Sequence, residues 1–481
     1  MTPLPEGFGI ELDRSVRSFR GGTVLTGGHP GRLITLSRDG REALTRWLGG
    51  GTASPAARHL GRRLVDAGMA HPRPPTTTGG AGTDPSVTVV VPVRDRSAAL
   101  DRCLASLGGE APVVVVDDAS HDPRSVAQVC DRHGARMIAR SANGGPGAAR
   151  NDALSMIDTE LVAFVDSDCT VITGWLRALT WIFEDPLVGA VAPRVRPDGT
   201  GRPLRTSALA RFSEARSSLD MGPDRSEVGP ERSVRYVPAA ALVVRGAALD
   251  DGFRFDADLR VGEDVDLVWR LLDAGWRVRY EPSTTVFHRE PSSWSALFTR
   301  RYRYGTSAGP LARRHPGRLA PVALRPWPTA TVIAGLAGRP RTVLALLLVS
   351  AAHLARRTRH HGVPVTLALR WSTEGTGWTL VGMGHAATVL AGPALLVGAL
   401  RSRRAAAAVA LLVLAPPTVE WRRRRPRLDP VRWSVASIVD DVAYGAGVWV
   451  GCLRARSLAP LIPSPVNGWM ERARPTRRRR G

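Results

Sequence analysis

Lysine is absent from this chain of 481 residues, so all 66 basic side chains are arginine. Cysteine is scarce, and Cys103, Cys130, Cys169 and Cys452 form no CxxC pair. Such spacing argues against both a zinc site and a disulfide framework, and it suits a reducing cytoplasm. The opening stretch MTPLPEGFGIELDRSV has neither a basic start nor an apolar run, so a secretory signal is not expected. Charged residues make up 23% of the chain and mean hydropathy is -0.09. Together these exclude a wholly disordered chain and one made mainly of membrane spans.

The net charge of +23 is unevenly placed. Residues 313–481 hold 27 Arg against 6 Asp or Glu, whereas residues 1–312 hold 39 against 37. A surface built throughout for nucleic acid is therefore excluded, and no nucleic-acid partner is expected. In the basic third, arginine runs alternate with uncharged stretches. Residues 377–400 contain no Asp, Glu or Arg, long enough to cross a hydrocarbon core of ~30 Å at ~1.5 Å per residue. Residues 405–421 are shorter, 329–354 are apolar apart from Arg339-Pro-Arg341, and 431–453 are weakened by Asp440-Asp441. The pattern predicts one firm span, one or two more, and interfacial helices among the rest. Arginines at 401–404 and 422–427 bracket the apolar runs as headgroup anchors would. An even number of spans keeps these clusters inside, which predicts a cell-membrane protein whose remaining chain faces the cytoplasm. The alternative is a set of buried helices in a soluble region.

Residues 1–70 read as a small compact unit. Runs at 23–26 and 32–36 are strand-like and separated by Gly27-Gly28 and Pro30-Gly31, a hairpin signal. Ser37 precedes a helical run over 39–48, and Ser54 opens another through Met69. Residues 71–85 are rich in Pro, Gly and Thr and read as a linker. Strands followed by helices suit a winged-helix-like unit, but its near-neutral charge counts against DNA.

Residues 86–312 carry the chemistry. Apolar β-branched runs at 87–91, 113–116 and 161–165 alternate with helical patterns at 100–107, 122–133 and 147–157. The alternation predicts an α/β unit with a mostly parallel, Rossmann-like sheet covered on both faces. Ligands of such sheets sit at the carboxyl ends of strands, where Asp117-Asp118 and Asp166-Ser-Asp168 fall.

Two carboxylates one residue apart on a turn leaving a buried strand, Asp166 and Asp168, suit a hard divalent cation, Mg2+ or Mn2+, held against a diphosphate. A turn capping the next helix is the structural alternative. Asp118 can accept from a nucleobase N–H and ribose hydroxyls. The glycines of Asn143-Gly-Gly-Pro-Gly precede a helix that carries Arg150 in its first turns, which suits a phosphate. A GxGxxG reading of the same stretch fails at its third glycine, which is Arg150. Glu263-Asp264 opens an apolar helix, where the dipole alone favours acids; Asp264 is also a candidate general base. His288 closes the run 284–287 and is a candidate third metal ligand. Glu263, Arg301 and Tyr302 are candidates for the acceptor or a diphosphate.

These motifs, in this order over roughly 220 residues, resemble the inverting family 2 glycosyltransferases of the GT-A fold. The resemblance implies uridine contacts at Pro92, Asp95 and Asp118, and phosphate or uracil contact at Arg150. It also implies a metal on Asp168, Asp166 touching ribose or metal, and Asp264 as base. The QxxRW of processive members is missing; RRYRY stands in its place. The N-terminal stretches LDRSVRSFRGGTVLTGGHPGRLITLSRDGREAL and LGRRLVDAGMAHP resemble PqqD-like peptide-recognition domains. That implies a precursor peptide or partner enzyme bound along a strand edge. The whole arrangement is similar to the glycosyltransferases of mycofactocin systems, which implies β-linked glucose moved from UDP-glucose onto a peptide-derived acceptor. Transfer to a polyprenyl phosphate or cell-wall glycan, and a non-catalytic membrane scaffold that binds a peptide, are the alternatives.

Overall fold

The computed structural model describes residues 2–51, 53–75, 85–198, 207–250 and 252–465. At its start β1 (Gly9–Leu12) pairs antiparallel with β5 (Ala70–Arg73). Between them β2 (Arg17–Phe19), β3 (Val24–Gly27) and β4 (Arg32–Thr35) form an antiparallel meander. Helices α1 (Arg38–Leu48) and α2 (Pro55–Asp66) begin at Ser37 and Ser54, whose side chains accept from Gly40 N and Ala57 N. Trp47, Leu64 and Met69 join both helices to the strands in one core. The segment expected to be a linker thus begins as a strand. Pro72 is tolerated there because a two-stranded ribbon leaves each strand an unpaired edge. Residues 76–84 lie outside the described residues.

A sheet of nine strands follows: β6 (Val87–Val93), β7 (Val113–Asp117), β8 (Arg136–Ala139), β9 (Leu161–Val165), β10 (Cys169–Thr170), β11 (Val188–Pro197), β12 (Ser226–Glu227), β13 (Ala241–Arg245) and β14 (Arg277–His288). Their order is β10-β14-β11-β13-β9-β6-β7-β8, with β12 beside β14. Strands β6, β7, β8, β9, β11 and β14 share one direction, which meets the expectation of a mostly parallel sheet. Alternate residues feed opposite faces: Val89, Val91 and Val115 enter one core, and Val90, Val116 and Phe164 the other. The helices are α3 (Ser97–Leu107), α4 (Pro123–His133), α5 (Pro146–Leu154), α6 (Arg177–Thr180), α7 (Ala208–Arg216), α8 (Ala247–Asp250), α9 (Glu263–Asp273), α10 (Trp294–Thr306) and α11 (Ala308–Arg314).

Residues 194–235 are too rich in Gly, Pro and charge for the sequence to assign, which suggests a mobile acceptor loop. The described part is instead built from the end of β11, α7 and β12. Arg194 grips both oxygens of Asp220 at 2.8 Å there. Residues 199–206 lie outside the described residues.

The basic third contains β15 (Ala323–Leu324), α12 (Pro326–Leu336), α13 (Pro340–Thr358), α14 (Val365–Ala399), α15 (Arg403–Arg424), α16 (Pro430–Ala455) and β16 (Ser464–Pro465). Helices α14, α15 and α16 are long and apolar enough to cross a membrane. Half of the most apolar stretch of α16 is buried inside the protein, against 11% for α14 and for α15. Helix α16 lies along α10 and α11, where Gly305 and Gly309 face Gly447 and Gly451. A Cβ on any of these four would strike the backbone opposite. Asp440-Asp441, which weakens this stretch in the sequence, is accommodated by ion pairs with Arg301 and Arg216.

Candidate active site

A cleft of about 500 Å³ opens where the carboxyl ends of β9 and β14 meet the start of α9. Its size suits a small-molecule ligand. Asp166, Asp264, His288, Arg150, Glu263 and Arg301 all line it. Residues drawn from stretches more than a hundred positions apart therefore share one surface.

Each is set by local structure. Beyond β9, Asp166 N still donates to Ala240 O at 3.0 Å, and a turn closed by Cys169 N on Asp166 O at 2.9 Å then takes the chain out of the sheet. Gly262, with φ of 85°, caps α9 and presents Glu263 and Asp264 in the first turn. Asp264 Oδ1 accepts from Val265 N at 2.8 Å and Oδ2 from Ala239 N at 3.2 Å. Its carboxylate is thus held at the positive end of a helix. Arg150, 2% exposed, donates through Nη2 to Asp166 at 2.7 Å and through Nη1 to Glu263 at 2.9 Å. Burial, then the neighbouring charge of Asp264, pushes the Glu263 carboxyl up to about 7 despite Arg150.

Pairing of β10 with β14 puts Cys169 opposite His288, and this register carries Asp168 to the histidine. His288 Nε2 stands 3.5 Å from Asp168 Oδ1, and its Nδ1, buried without a hydrogen-bond partner, stands 3.7 Å from Glu290. Burial works against a charge on His288, but Glu290 and Asp168 outweigh it and hold its pKa above the usual value. Among the described residues no cluster of three or more His, Cys, Asp or Glu is arranged for a metal. A two-ligand set is nonetheless present. The Asp168 carboxylate and the Nε2 that faces it fit a divalent cation whose other positions are filled by substrate oxygens, while the unpartnered Nδ1 is turned to Glu290. Asp166 is taken by Arg150, and Asp168 also pairs with Arg96.

Pro92, Asp95 and Asp118 are not among the residues that line the cleft. Asp118 accepts from Asn143 Nδ2, Gly144 N and Gly145 N, each at 2.8 Å, and pairs with Arg140. Its carboxylate fastens the glycine loop in front of α5. Asp95 binds the backbone and ring of His121, which lower its pKa. Tyr302 also lies off the cleft, its carbonyl packed on Gly447. Tyr304 and Tyr236 line the cleft instead, and burial raises both hydroxyls to about 12. The spacing of Tyr304 from Arg301, one helical turn, is the sequence signal for it. Nothing local marks Tyr236, or His385 of α14, which also lines the cleft.

Residues 88–242 match the family described as Glycosyl transferase family 2. The chain is 37% identical over 478 residues to the pre-mycofactocin glycosyltransferase of Mycobacterium tuberculosis, in strains CDC 1551 / Oshkosh and ATCC 25618 / H37Rv, covering 96% of this chain and 98% of that protein. It is 30% identical over 215 residues to the succinoglycan biosynthesis protein ExoU of Rhizobium meliloti, covering 42% of this chain and 60% of that one. Among solved structures, the mannosyltransferase PcManGT of Pyrobaculum calidifontis, in complex with GDP-Man and Mn2+, overlaps 62% of this chain and 88% of its own at 21% identity and a TM-score of 0.38. Similarity that runs from the first strands to the last apolar helix places the chain in the family of the pre-mycofactocin glycosyltransferases, as a glycosyltransferase with a family 2 catalytic domain.

Proposed function

We propose that the protein moves glucose from UDP-glucose onto a hydroxyl of a peptide-derived acceptor of the mycofactocin type, with inversion to a β linkage. The observation that carries this reading is the convergence of Asp166, His288 and Asp264 on one cleft. Asp168 and His288 would hold a divalent cation, which supplies charge neutralisation for the departing diphosphate when bound. Arg150 keeps Asp166 in place beside them, and the glycine loop fixed by Asp118 sets the start of α5.

Asp264 takes the proton of the acceptor hydroxyl as that oxygen attacks the anomeric carbon. Two backbone N–H groups orient its carboxylate, so the remaining lone pairs stay directed and little reorganisation is needed. Glu263 is the less available base, being buried and ion-paired with Arg150. Direct displacement by the activated hydroxyl inverts the anomeric carbon.

The N-terminal unit is assigned to recognition of the peptide or a partner enzyme, and the exposed apolar faces of α14 and α15 to attachment to the cell membrane, with the catalytic domain and the cleft-facing side of α14 in the cytoplasm. Full-length protein incubated with UDP-glucose, Mn2+ and a pre-mycofactocin acceptor should raise the mass of the acceptor by one hexose residue per turnover. Transfer from GDP-mannose in preference to UDP-glucose, or no mass gain with any UDP-sugar, would overturn the proposal.

A further inference from the structure

The catalytic sheet supplies only part of the cleft wall. The rest comes from the basic third: His385, Val389 and Leu390 of α14, and Tyr444 and Val448 of α16. This side pairs an apolar surface with one polar ring. His385 Nδ1 lies 3.0 Å from Asp441 Oδ2, and the ring is 37% exposed. Asp441 Oδ1 in turn accepts from Arg216 Nη2 at 2.7 Å. Arg216 approaches Asp440 at 3.6 Å, and Asp440 accepts from Arg301 Nε at 2.9 Å. The chain of ion pairs therefore runs from His385 on α14 through Asp441 of α16, Arg216 of α7 and Asp440 of α16 to Arg301 on α10, and both of its ends line the cleft.

Two features separate this arrangement from simple helix anchoring. Asp440 and Asp441 are 3% and 6% exposed, and buried carboxylates cost stability that apolar packing would not. The glycine contacts between α10, α11 and α16 already dock the helices. With Nδ1 facing Asp441, His385 keeps Nε2, on the opposite side of the ring, for the cleft that it lines. The ring is thus oriented by its carboxylate, as a histidine that must present one defined nitrogen is.

We infer that His385, held by Asp441, is an acceptor-positioning residue, and that Val389, Leu390 and Val448 receive an apolar ring carried by the acceptor. The substrate class is a neutral hydroxyl compound with an apolar body, in contrast to a free sugar. This rests on the glycosyl-transfer reading of the same cleft. Val389 and Leu390 hold the body while His385 fixes the reacting end near Asp264.

The test uses full-length protein with UDP and Mn2+, probed calorimetrically with phenyl β-glucoside and methyl β-glucoside. These share their hydroxyls and differ in the apolar body. Wild type should bind the phenyl compound about tenfold more tightly, a gap of ~1.4 kcal/mol, and Leu390→Asp should erase the difference. His385→Ala should weaken both probes about tenfold, one hydrogen bond's worth, while His385→Gln restores part of the loss. UDP affinity, measured in the same titrations, serves as the control for folding and should be retained in all three variants. Equal binding of the two probes, no binding of either, or unaltered affinity in His385→Ala would overturn the inference. Absence of UDP-glucose hydrolysis in wild type would instead strike the functional reading beneath it.

Discussion

Arg150 Nη2 donates to Asp166 Oδ1 at 2.7 Å, so one arginine on α5 governs the first carboxylate of the Asp166-Ser-Asp168 turn. Its other terminal nitrogen holds Glu263, beside the proposed base. The guanidinium therefore links the end of β9 to the start of α9.

Removing that link should be costly. Arg150→Met leaves two facing acids without their common cation, which should destabilise the protein by about 3–5 kcal/mol. Chemical denaturation measures it. Arg150→Lys, a point charge without the fork, should recover only part of the loss. Wild-type stability in Arg150→Met would show that the pair holds nothing together.

Glu263 gives the molecule a pH signature. Its carboxyl lies at about 7 in the folded protein against an ordinary 4.5. An acid raised on folding binds more protons in the folded state. Its favourable contribution is complete below the unfolded value and declines as pH rises through the folded one. Glu263→Gln should therefore flatten the fall in stability between pH 4.5 and 7 seen in denaturant titrations. Superimposable profiles for the two proteins would contradict the assignment.

Metal dependence is expected to reside in Asp168 and His288. Chelator should abolish transfer, with Mn2+ restoring it, and Asp168→Ala should remove metal-dependent UDP binding. His288→Ala should raise the metal concentration needed for half-activity by about 10–100-fold, the range seen for weakened metal shells. Full activity in chelator would take the cation out of the account.

The N-terminal unit is clamped rather than tethered. Arg62 Nη2 meets Asp185 Oδ2 at 2.7 Å in a fully buried pair, and Arg277 pairs with Asp66 nearby. Arg62→Ala should cost about 3–5 kcal/mol, because Asp185 is left buried and unpaired. Replacing both by apolar residues should recover most of it. If Arg62→Ala melts as wild type does, the clamp is not formed. Deleting residues 1–80 would expose Asp185 and Arg277 as well, so loss of activity on truncation does not by itself indicate peptide recognition.

Much of this was legible beforehand, for physical reasons. The valine runs at β6 and β7 admit little but buried strands, and a carboxylate just past a buried strand must face the sheet edge. Other features depend on distant partners. Asp118 reads as an open acceptor until Asn143, Gly144 and Gly145 are seen to saturate it. Tyr302 and Tyr304 differ by some 200° around a helix at ~100° per residue, and only the docking of α16 shows which one the cleft receives. Asp440-Asp441 looks hostile to an apolar helix until Arg216 and Arg301 are placed opposite. Asp168 and His288 meet through a strand of only two residues, too short to leave a pattern.

In the proposed reaction Asp264 removes the acceptor proton while other groups hold the donor. Comparing glucosyl transfer with UDP binding in Asp264→Asn tests it most directly. In that variant kcat should fall about 10²–10⁴-fold with UDP affinity retained, and the wild-type product should carry a β-anomeric proton by NMR. Turnover near wild type in Asp264→Asn, or an α-anomeric product from the wild-type enzyme, would contradict it.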